Sequence, residues 1–291
     1  VVEEGGEKGT ALLAELFPHA GRALVLGITG PPGSGKSTLV ERLTARYRAA
    51  GRTVGIVAVD PSSPFSGGAI LGDRIRMQAH ALDAGVFIRS MATRGHLGGL
   101  ASATAPAIDV LAASGKDVVL VETVGVGQDE VEVVETADVC VLVLVPGLGD
   151  EVQALKAGVM EIADIFVVNK ADREGVERVV AEIESMLSLG GREGPPPSIV
   201  KTIATRDEGT AELLAAVDEF RGRADSGGLL ARRGRARLRR QFEDNLQQRV
   251  MDRVRARALP AAELERTIDR LQAREVDPAS AVEDVVRRAG L

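Results

Sequence analysis

Short apolar runs recur along the chain at 23–29, 53–59, 86–91, 117–122, 139–145, 165–169 and 199–203. They are rich in Val, Ile and Leu and nearly continuous in apolarity, as strands buried on both faces of a parallel sheet are. Helix-like stretches lie between most of them, at 36–50, 73–84, 102–114, 151–162, 174–188 and 208–222. This alternation predicts an α/β fold, a mainly parallel central sheet flanked by helices. A short helix is expected ahead of the first strand, over 10–20. Near Arg221 the strand signals cease. Leu238, Phe242, Leu246, Val250 and Val254 then recur every four residues and predict one apolar stripe on a helix. Pro260 is placed to open another helix, with Leu264, Ile268 and Leu271 on one side. Pro278 precedes a last short helix over 279–289. The expected organisation is an N-terminal helical extension over 1–20, an α/β domain over 21–220 and a C-terminal helical arm over 221–291. Gly190 to Pro197 reads as an exposed loop.

Composition changes this picture little. Among 291 residues, aromatics make up only 2% and Trp is absent, so the core has to be built from aliphatic side chains. The formal charge of -6 argues against general polyanion binding. The single Cys140 lies in the apolar run Val139 to Val145 and reads as a core thiol in a reducing, cytoplasmic setting. That run is far shorter than the roughly 20 residues that span a bilayer, and the sequence opens on no charged-then-apolar stretch, although its start without Met is compatible with a removed leader. No membrane association is expected.

The first chemical signal is Gly30-Pro31-Pro32-Gly33-Ser34-Gly35-Lys36-Ser37, which follows a predicted strand and opens a predicted helix. In a G-x-x-x-x-G-K-S loop, glycines let backbone N–H groups curl toward phosphate oxygens, and the helix N-terminus adds a favourable dipole. Lys36 is expected to reach the β- and γ-phosphates and Ser37 to ligate Mg²⁺. Thr38 completes the phosphate-side set. The alternative is a Gly-rich turn with a chance Lys-Ser.

Asn169-Lys170-Ala171-Asp172 directly follows the apolar strand Ile165 to Val168. A carboxylate there accepts two hydrogen bonds from the N1–H and N2–H₂ edge of guanine, whereas adenine offers an acceptor at N1. A bidentate base contact is worth about 1–3 kcal/mol. The tetrad therefore points to GTP and GDP, although Asp172 alone would also serve as a helix N-cap. Val118 to Val121 form a buried strand ending in Glu122, in the position where many GTPases place a metal-side Asp. Gly125 follows, with an N–H able to meet a γ-phosphate. A solvent-facing Glu122 is the alternative. Asp60, ending the strand 53–59, and Asp73 read as direct or water-mediated Mg²⁺ groups on a polar loop at the ligand-binding edge of the sheet. Asp73 reads equally well as an N-cap.

Together these segments resemble the MeaB/ArgK-type P-loop GTPases, the guanine-nucleotide chaperones of methylmalonyl-CoA mutase. The distinctive pieces are Val59 to Gly68, Gly72-Asp73-Arg74-Ile75-Arg76-Met77, Thr93-Arg94-Gly95, Leu97-Gly98-Gly99, Glu122 to Gln128 and Gly149 to Gly158. The resemblance runs from about Leu26 to the C-terminal helices. It implies Mg²⁺ held near Ser37, Asp60, Asp73 and Glu122, and switch regions over about 60–77, 125–131 and 147–158. Gln153 and Lys156 match the third switch, which implies a catalytic set of Lys36, Glu122, Gln153 and Lys156. It also implies a homodimer joined by the C-terminal arm, and GTP hydrolysis that gates adenosylcobalamin loading of a mutase and protects it. Ile203-Ala204-Thr205 stands where the family usually carries Ser-Ala, and Ala204 is expected to offer its backbone N–H to guanine O6.

Three other functions compete with this one. A metal-insertion GTPase would usually carry Cys or His clusters, and here there are one Cys and three widely spaced His. A kinase linked to amino-acid transport, an older reading for such proteins, lacks a membrane or acceptor-site signal. A nucleic-acid binder would use the Arg-dense stretch Arg232 to Arg240, but aromatics are nearly absent there and Glu243 and Asp244 follow at once.

Overall fold

The computed structural model describes residues 2, 6–61, 80, 82–93, 101–123, 136–147, 163–189 and 197–290. Seven parallel strands form its sheet: β1 (Leu24–Thr29), β2 (Val54–Pro61), β3 (Val86–Thr93), β4 (Val118–Glu122), β5 (Val139–Leu144), β6 (Ile165–Asn169) and β7 (Ser198–Thr202). Their order across the sheet is β3-β2-β4-β1-β5-β6-β7. All seven predicted strands are present.

The order explains where a ligand has to go. From β1 the chain moves outward on one side through β2 and β3, returns to β4 beside β1, and then crosses to β5 on the other side. Such a reversal leaves a crevice beyond the C-terminal strand ends. The ends of β1, β4 and β6 carry Gly30, Glu122 and Asn169, three residues picked from the sequence.

Alternate residues of each strand feed the two faces. Leu24, Leu26 and Ile28 join Leu120, Val141 and Ile165 against α2 (Lys36–Ala49), through Leu39, Val40, Leu43 and Tyr47. A further helix on this face, Thr210–Ser226, adds Leu213, Val217 and Phe220. On the other face Val25, Val57, Val119 and Val121 meet Ile108 and Leu111 of helix Ala101–Ala113. There too, Leu142, Leu144 and Phe166 meet Val176, Val179 and Ile183 of helix Val176–Leu189. Covering on both faces is why the strands read as unbroken apolar runs. Cys140 is 1% exposed within this core, as expected.

The N-terminal helix is Gly6–Leu16, four residues earlier than expected at its start, and a 3₁₀ turn follows at Phe17–His19. Pro18 lies in the first positions of that turn, where its missing N–H costs least. The expected helices over 73–84 and 151–162, and the loop over 190–197, fall wholly or mostly outside the described residues.

The change expected at Arg221 falls inside helix Thr210–Ser226, where buried Phe220 and Ala224 hold the chain to the sheet. The next helix, Leu229–Ala258, is 30 residues long. Its first turns are tied to the lower edge of the sheet by a buried ion pair. Arg233 donates to Asp164 Oδ2 at 2.7 Å and Oδ1 at 2.8 Å, and its guanidinium lies 5.8 Å from the Phe220 ring centroid. Asp164 is 1% exposed and also accepts from the Cys140 N–H. Arg237 adds bonds to Thr136 O and Asp138 Oδ1. These are bidentate or charge-assisted bonds, strong enough to offset some of the desolvation cost of a buried carboxylate. Two of the arginines that suggested a nucleic-acid surface are thus structural clamps.

The chain divides into two compact units, residues 1–237 and 238–291. In the second, Val254 and Ala258 pack on Val285 and Ala289 of helix Pro278–Ala289, and Arg288 pairs with Glu263 of helix Ala261–Gln272. Pro260 is the N-cap of the latter helix, and Asp277 caps the last through its side chain. Of the predicted stripe, Val254 is buried, while Leu238, Phe242, Leu246 and Val250 are 36–67% exposed. Among the described residues no helix is long and apolar enough to cross a membrane.

Candidate nucleotide site

The loop between β1 and α2 is where the sequence placed phosphate binding. Gly35 is the N-cap of α2 with φ 92°, a left-handed conformation that side chains resist. A Cβ at Gly35 would collide with Asn169 Nδ2, and one at Gly30 with the Val143 carbonyl. Both glycines are therefore demanded by close approach as well as by backbone shape. Lys36 begins α2 yet is only 5% exposed. Its ammonium donates to Gly30 O at 2.6 Å and Pro31 O at 3.0 Å, which curls the loop around the charge.

Ser37 and Glu122, 85 residues apart in sequence, meet at the loop. The Ser37 hydroxyl donates to Glu122 Oε1 at 2.6 Å, and Glu122 is 4% exposed. Glu122 thus faces the phosphate loop and not solvent, which settles its sequence alternative. Behind it, Thr123 Oγ1 bonds Thr29 Oγ1 at 3.0 Å, fixing the ends of β4 and β1 together. A hydroxyl and a carboxylate, both hard oxygen donors, suit Mg²⁺, which keeps several waters and phosphate oxygens around one or two protein ligands. Among the described residues no cluster of three or more His, Cys, Asp and Glu side chains forms an all-protein metal cage. Asp60 lies within β2, one residue from its end. Asp73, Gly125, Gln153 and Lys156 lie outside the described residues.

The Asn169-Lys170-Ala171-Asp172 tetrad closes the other side. Asn169 is 2% exposed, and both ends of its amide are engaged. Its Nδ2 donates to Ser34 O at 2.8 Å, and its Oδ1 accepts from Thr202 Oγ1 at 3.0 Å and from the Ala204 N–H at 3.1 Å. Lys170 has φ 58° and donates through Nζ to Gly33 O at 2.7 Å. The tetrad thus grips the phosphate loop at Gly33 and Ser34. Asp172 is 41% exposed in its side chain, with the Arg206 guanidinium 3.7 Å away. The Ala204 N–H, expected to face guanine O6, donates to Asn169 instead, so a base oxygen would have to share or displace that bond.

Three residues with a part in this geometry were not picked from the sequence. Arg42 and Arg46 of α2 reach the 3₁₀ turn Ala204–Arg206 and its C-cap, Asp207. Their only sequence signal was a spacing of four on one helix face, which many surface arginines share.

With this geometry in view, the likeness to known proteins is direct. Residues 2–259 match the family described as methylmalonyl Co-A mutase-associated GTPase MeaB. The chain belongs to the MeaB family. It is a GTP hydrolase of the P-loop class and a guanine-nucleotide binder. A protein of Pyrococcus abyssi described as a GTPase is 48% identical over 291 residues, 99% of this chain and 90% of its own length. The methylmalonic aciduria type A homolog of Mus musculus, a mitochondrial protein, is 39% identical over 211 residues, 71% of this chain and 51% of the mouse protein. The crystal structure of a LAO/AO transport system kinase superposes with a TM-score of 0.71 at 26% identity, covering 98% of this chain and 89% of that one. The MeaB resemblance seen in the sequence therefore holds over nearly its whole length.

Proposed function

We propose that this MeaB-family GTPase is a guanine-nucleotide switch that gates adenosylcobalamin loading of an acyl-CoA mutase, methylmalonyl-CoA mutase or a relative, and protects that enzyme. The observation that carries the nucleotide half is the convergence of Lys36, Ser37 and Glu122 on one loop that Asn169 and Lys170 also grip. The client half is supported by the mutase association in the family description and by the methylmalonic aciduria homolog among the relatives.

In this reading Gly30 to Thr38 surround the phosphates and Asp172 reads the guanine edge. Ser37 and Glu122, with Asp60 and Asp73, would hold Mg²⁺, directly or through water. Bound there, Mg²⁺ would neutralise charge between the β- and γ-phosphates. Lys36 and the loop N–H groups absorb charge that develops on the phosphoryl oxygens as water attacks in line. Gly125 would add an N–H at the γ-phosphate, while Gln153 and Lys156 would act when the client docks.

Turnover should be slow for the protein alone and rise on contact with a cobalamin-dependent mutase, because no arginine is fixed beside the phosphate loop among the described residues. The check is GTP hydrolysis measured with and without the purified mutase. An increase of about tenfold or more is expected, since charge supplied by a partner is worth far more in related enzymes. Fast turnover without a partner, or no response to the mutase, would count against the proposal.

The exposed side chains Leu238, Phe242, Leu246 and Val250 lie on one face of helix Leu229–Ala258, an apolar stripe of the kind that a partner surface covers. We infer that a second copy of the chain covers it. Light scattering should then give twice the 30.5 kDa of one chain, and a single-chain mass at micromolar concentration would exclude the dimer.

A further inference from the structure

Helix α2 begins at the phosphate loop, and its next turns reach across to the opposite wall of the site. Arg42 Nε donates to Ala204 O at 3.1 Å. One turn later, Arg46 forms a two-pronged pair with Asp207. Its Nε meets Oδ1 at 3.0 Å and its NH2 meets Oδ2 at 2.7 Å, with the Asp207 carbonyl also 3.3 Å from NH2. The turn gripped in this way carries two groups that face the tetrad. The Ala204 N–H donates to Asn169 Oδ1, and Arg206 lies 3.7 Å from Asp172. Asn169 in turn holds Ser34 O, directly before the start of α2. Contacts therefore run from the phosphate loop through Asn169 to the turn, and back to the phosphate loop through Arg42, Arg46 and the helix.

We infer that Arg42 and Arg46 are positioning residues for guanine selectivity: by fixing the Ala204–Asp207 turn to α2, they set the places of Asn169 and Asp172 relative to the phosphates. This rests on the reading of Asn169 to Asp172 as the base site. The contacts of both arginines here are with the turn and its cap. Each acts through the turn, whose own backbone bonds set its shape but not its place against α2. Asp207 has φ 59°, and the turn closes on itself through the Ile203–Glu208 bridge and through the Arg206 and Asp207 N–H groups, which donate to Ile203 O and Ala204 O. A planar guanidinium fork fixes both distance and orientation of a carboxylate, which a single lysine ammonium does not. Burial acts to raise the Asp207 carboxyl, but the hydrogen bonds, that from Arg46 foremost, outweigh it and hold the group below its ordinary value. The pairing thus favours the charged form that the fork needs.

The link also accounts for the pairing of half-exposed residues that a surface ion pair would not need. Both side chains are about one-third exposed, at 33% and 39%. A pair of that kind adds little to stability. Its consequence lies in geometry, and a small displacement of a base-reading carboxylate is enough to lose discrimination.

The test uses the full chain with Arg46→Ala, Asp207→Asn, the double variant, and Asp172→Asn as a control. Asn tolerates the left-handed φ of position 207, so Asp207→Asn removes charge without straining the backbone. Equilibrium affinities for GDP, ADP and XDP are measured together with kcat at saturating GTP. Both single variants should lose about tenfold in GDP affinity, and the GDP-to-ADP ratio should fall by the same factor. The double variant should be no worse than either single one, because each removes the same contact. The kcat at saturation should change less than the affinity. Equal loss of GDP and ADP affinity, or no loss in folded variants, overturns the inference. If Arg46→Ala fails to fold, Asp207→Asn decides alone. An Asp172→Asn control that does not gain XDP affinity overturns the base reading itself, whatever the other variants do.

Discussion

Asp172→Asn is expected to lower kcat/KM for GTP by about a hundredfold and to raise that for XTP. The carboxylate offers two acceptors to the two donors on the guanine edge. An amide offers one acceptor and one donor, so one base donor keeps a partner while the other loses its acceptor and is opposed by the amide N–H. Xanthine carries a carbonyl where guanine has its amino group, and the amide NH₂ meets it. Loss of a bidentate contact alone gives about 1–3 kcal/mol, and the mismatched pair left inside the site adds to it. The fold should be spared, because Asp172 is 41% exposed in its side chain and its contact with Arg206 spans 3.7 Å. Steady-state kinetics with both nucleotides checks the result. Unchanged preference for GTP would remove the assignment of Asp172 to the base.

The distance between that position and the phosphate loop is set by elements the sequence revealed unevenly. The strands were legible because burial on both faces writes itself as continuous Val, Ile and Leu. Val139 to Leu144 shows this most plainly, with all six residues buried. Gly30, Gly35 and Lys36 were legible because a phosphate loop tolerates few substitutes at those spacings. The start of the first helix was not, since Gly6 to Ala11 carry no strong cap or period and its packing partner is distant in sequence. The boundary at Arg221 was read from a loss of strand signal. A helix that continues through that point leaves no trace in such a signal when the buried positions flanking it are Phe220 and Ala224. The Arg-rich stretch, set aside as a nucleic-acid surface, hid its structural arginines for a related reason. Charge density does not distinguish a solvated arginine from Arg233, whose partner Asp164 lies 69 residues away. The contact between Ser37 and Glu122 follows from β4 lying beside β1, which only the strand order supplies.

The stripe Leu238 to Val254 shows the same limit from the other side. Its four-residue period correctly predicted a helix, but a period says only that the side chains share a face. The structure divides the stripe: Val254 is covered by Val285 and Ala289 within the same unit, and the four residues before it are not. The proposed dimer contact is therefore narrower than the sequence stripe, and it begins where the second compact unit begins, at Leu238.

The largest loss is expected at the phosphates. Lys36→Ala should reduce kcat for GTP by about a thousandfold, the scale seen when one preorganised donor to a developing oxyanion is removed. Two effects act together. The first is electrostatic: the ammonium is 5% exposed, and in so dry a setting a positive charge beside the γ-phosphoryl oxygens is worth more than in water. The second is structural. The ammonium holds the Gly30 and Pro31 carbonyls at 2.6 and 3.0 Å, and alanine leaves both without that donor. The loop should then open, and its N–H groups lose the common focus that the glycines permit. Lys36→Arg separates the two effects, since it keeps the charge but enlarges the head group in a loop closed by carbonyls. It should restore little of the rate, because a guanidinium is too broad to reach both carbonyls and a phosphate from inside the curl. Single-turnover hydrolysis measures the chemical step apart from product release, and circular dichroism confirms that each variant is folded. A folded Lys36→Ala protein that hydrolyses GTP near the wild-type rate would show that Lys36 only shapes the loop, and the developing charge would then have to be met by backbone N–H groups and Mg²⁺ alone.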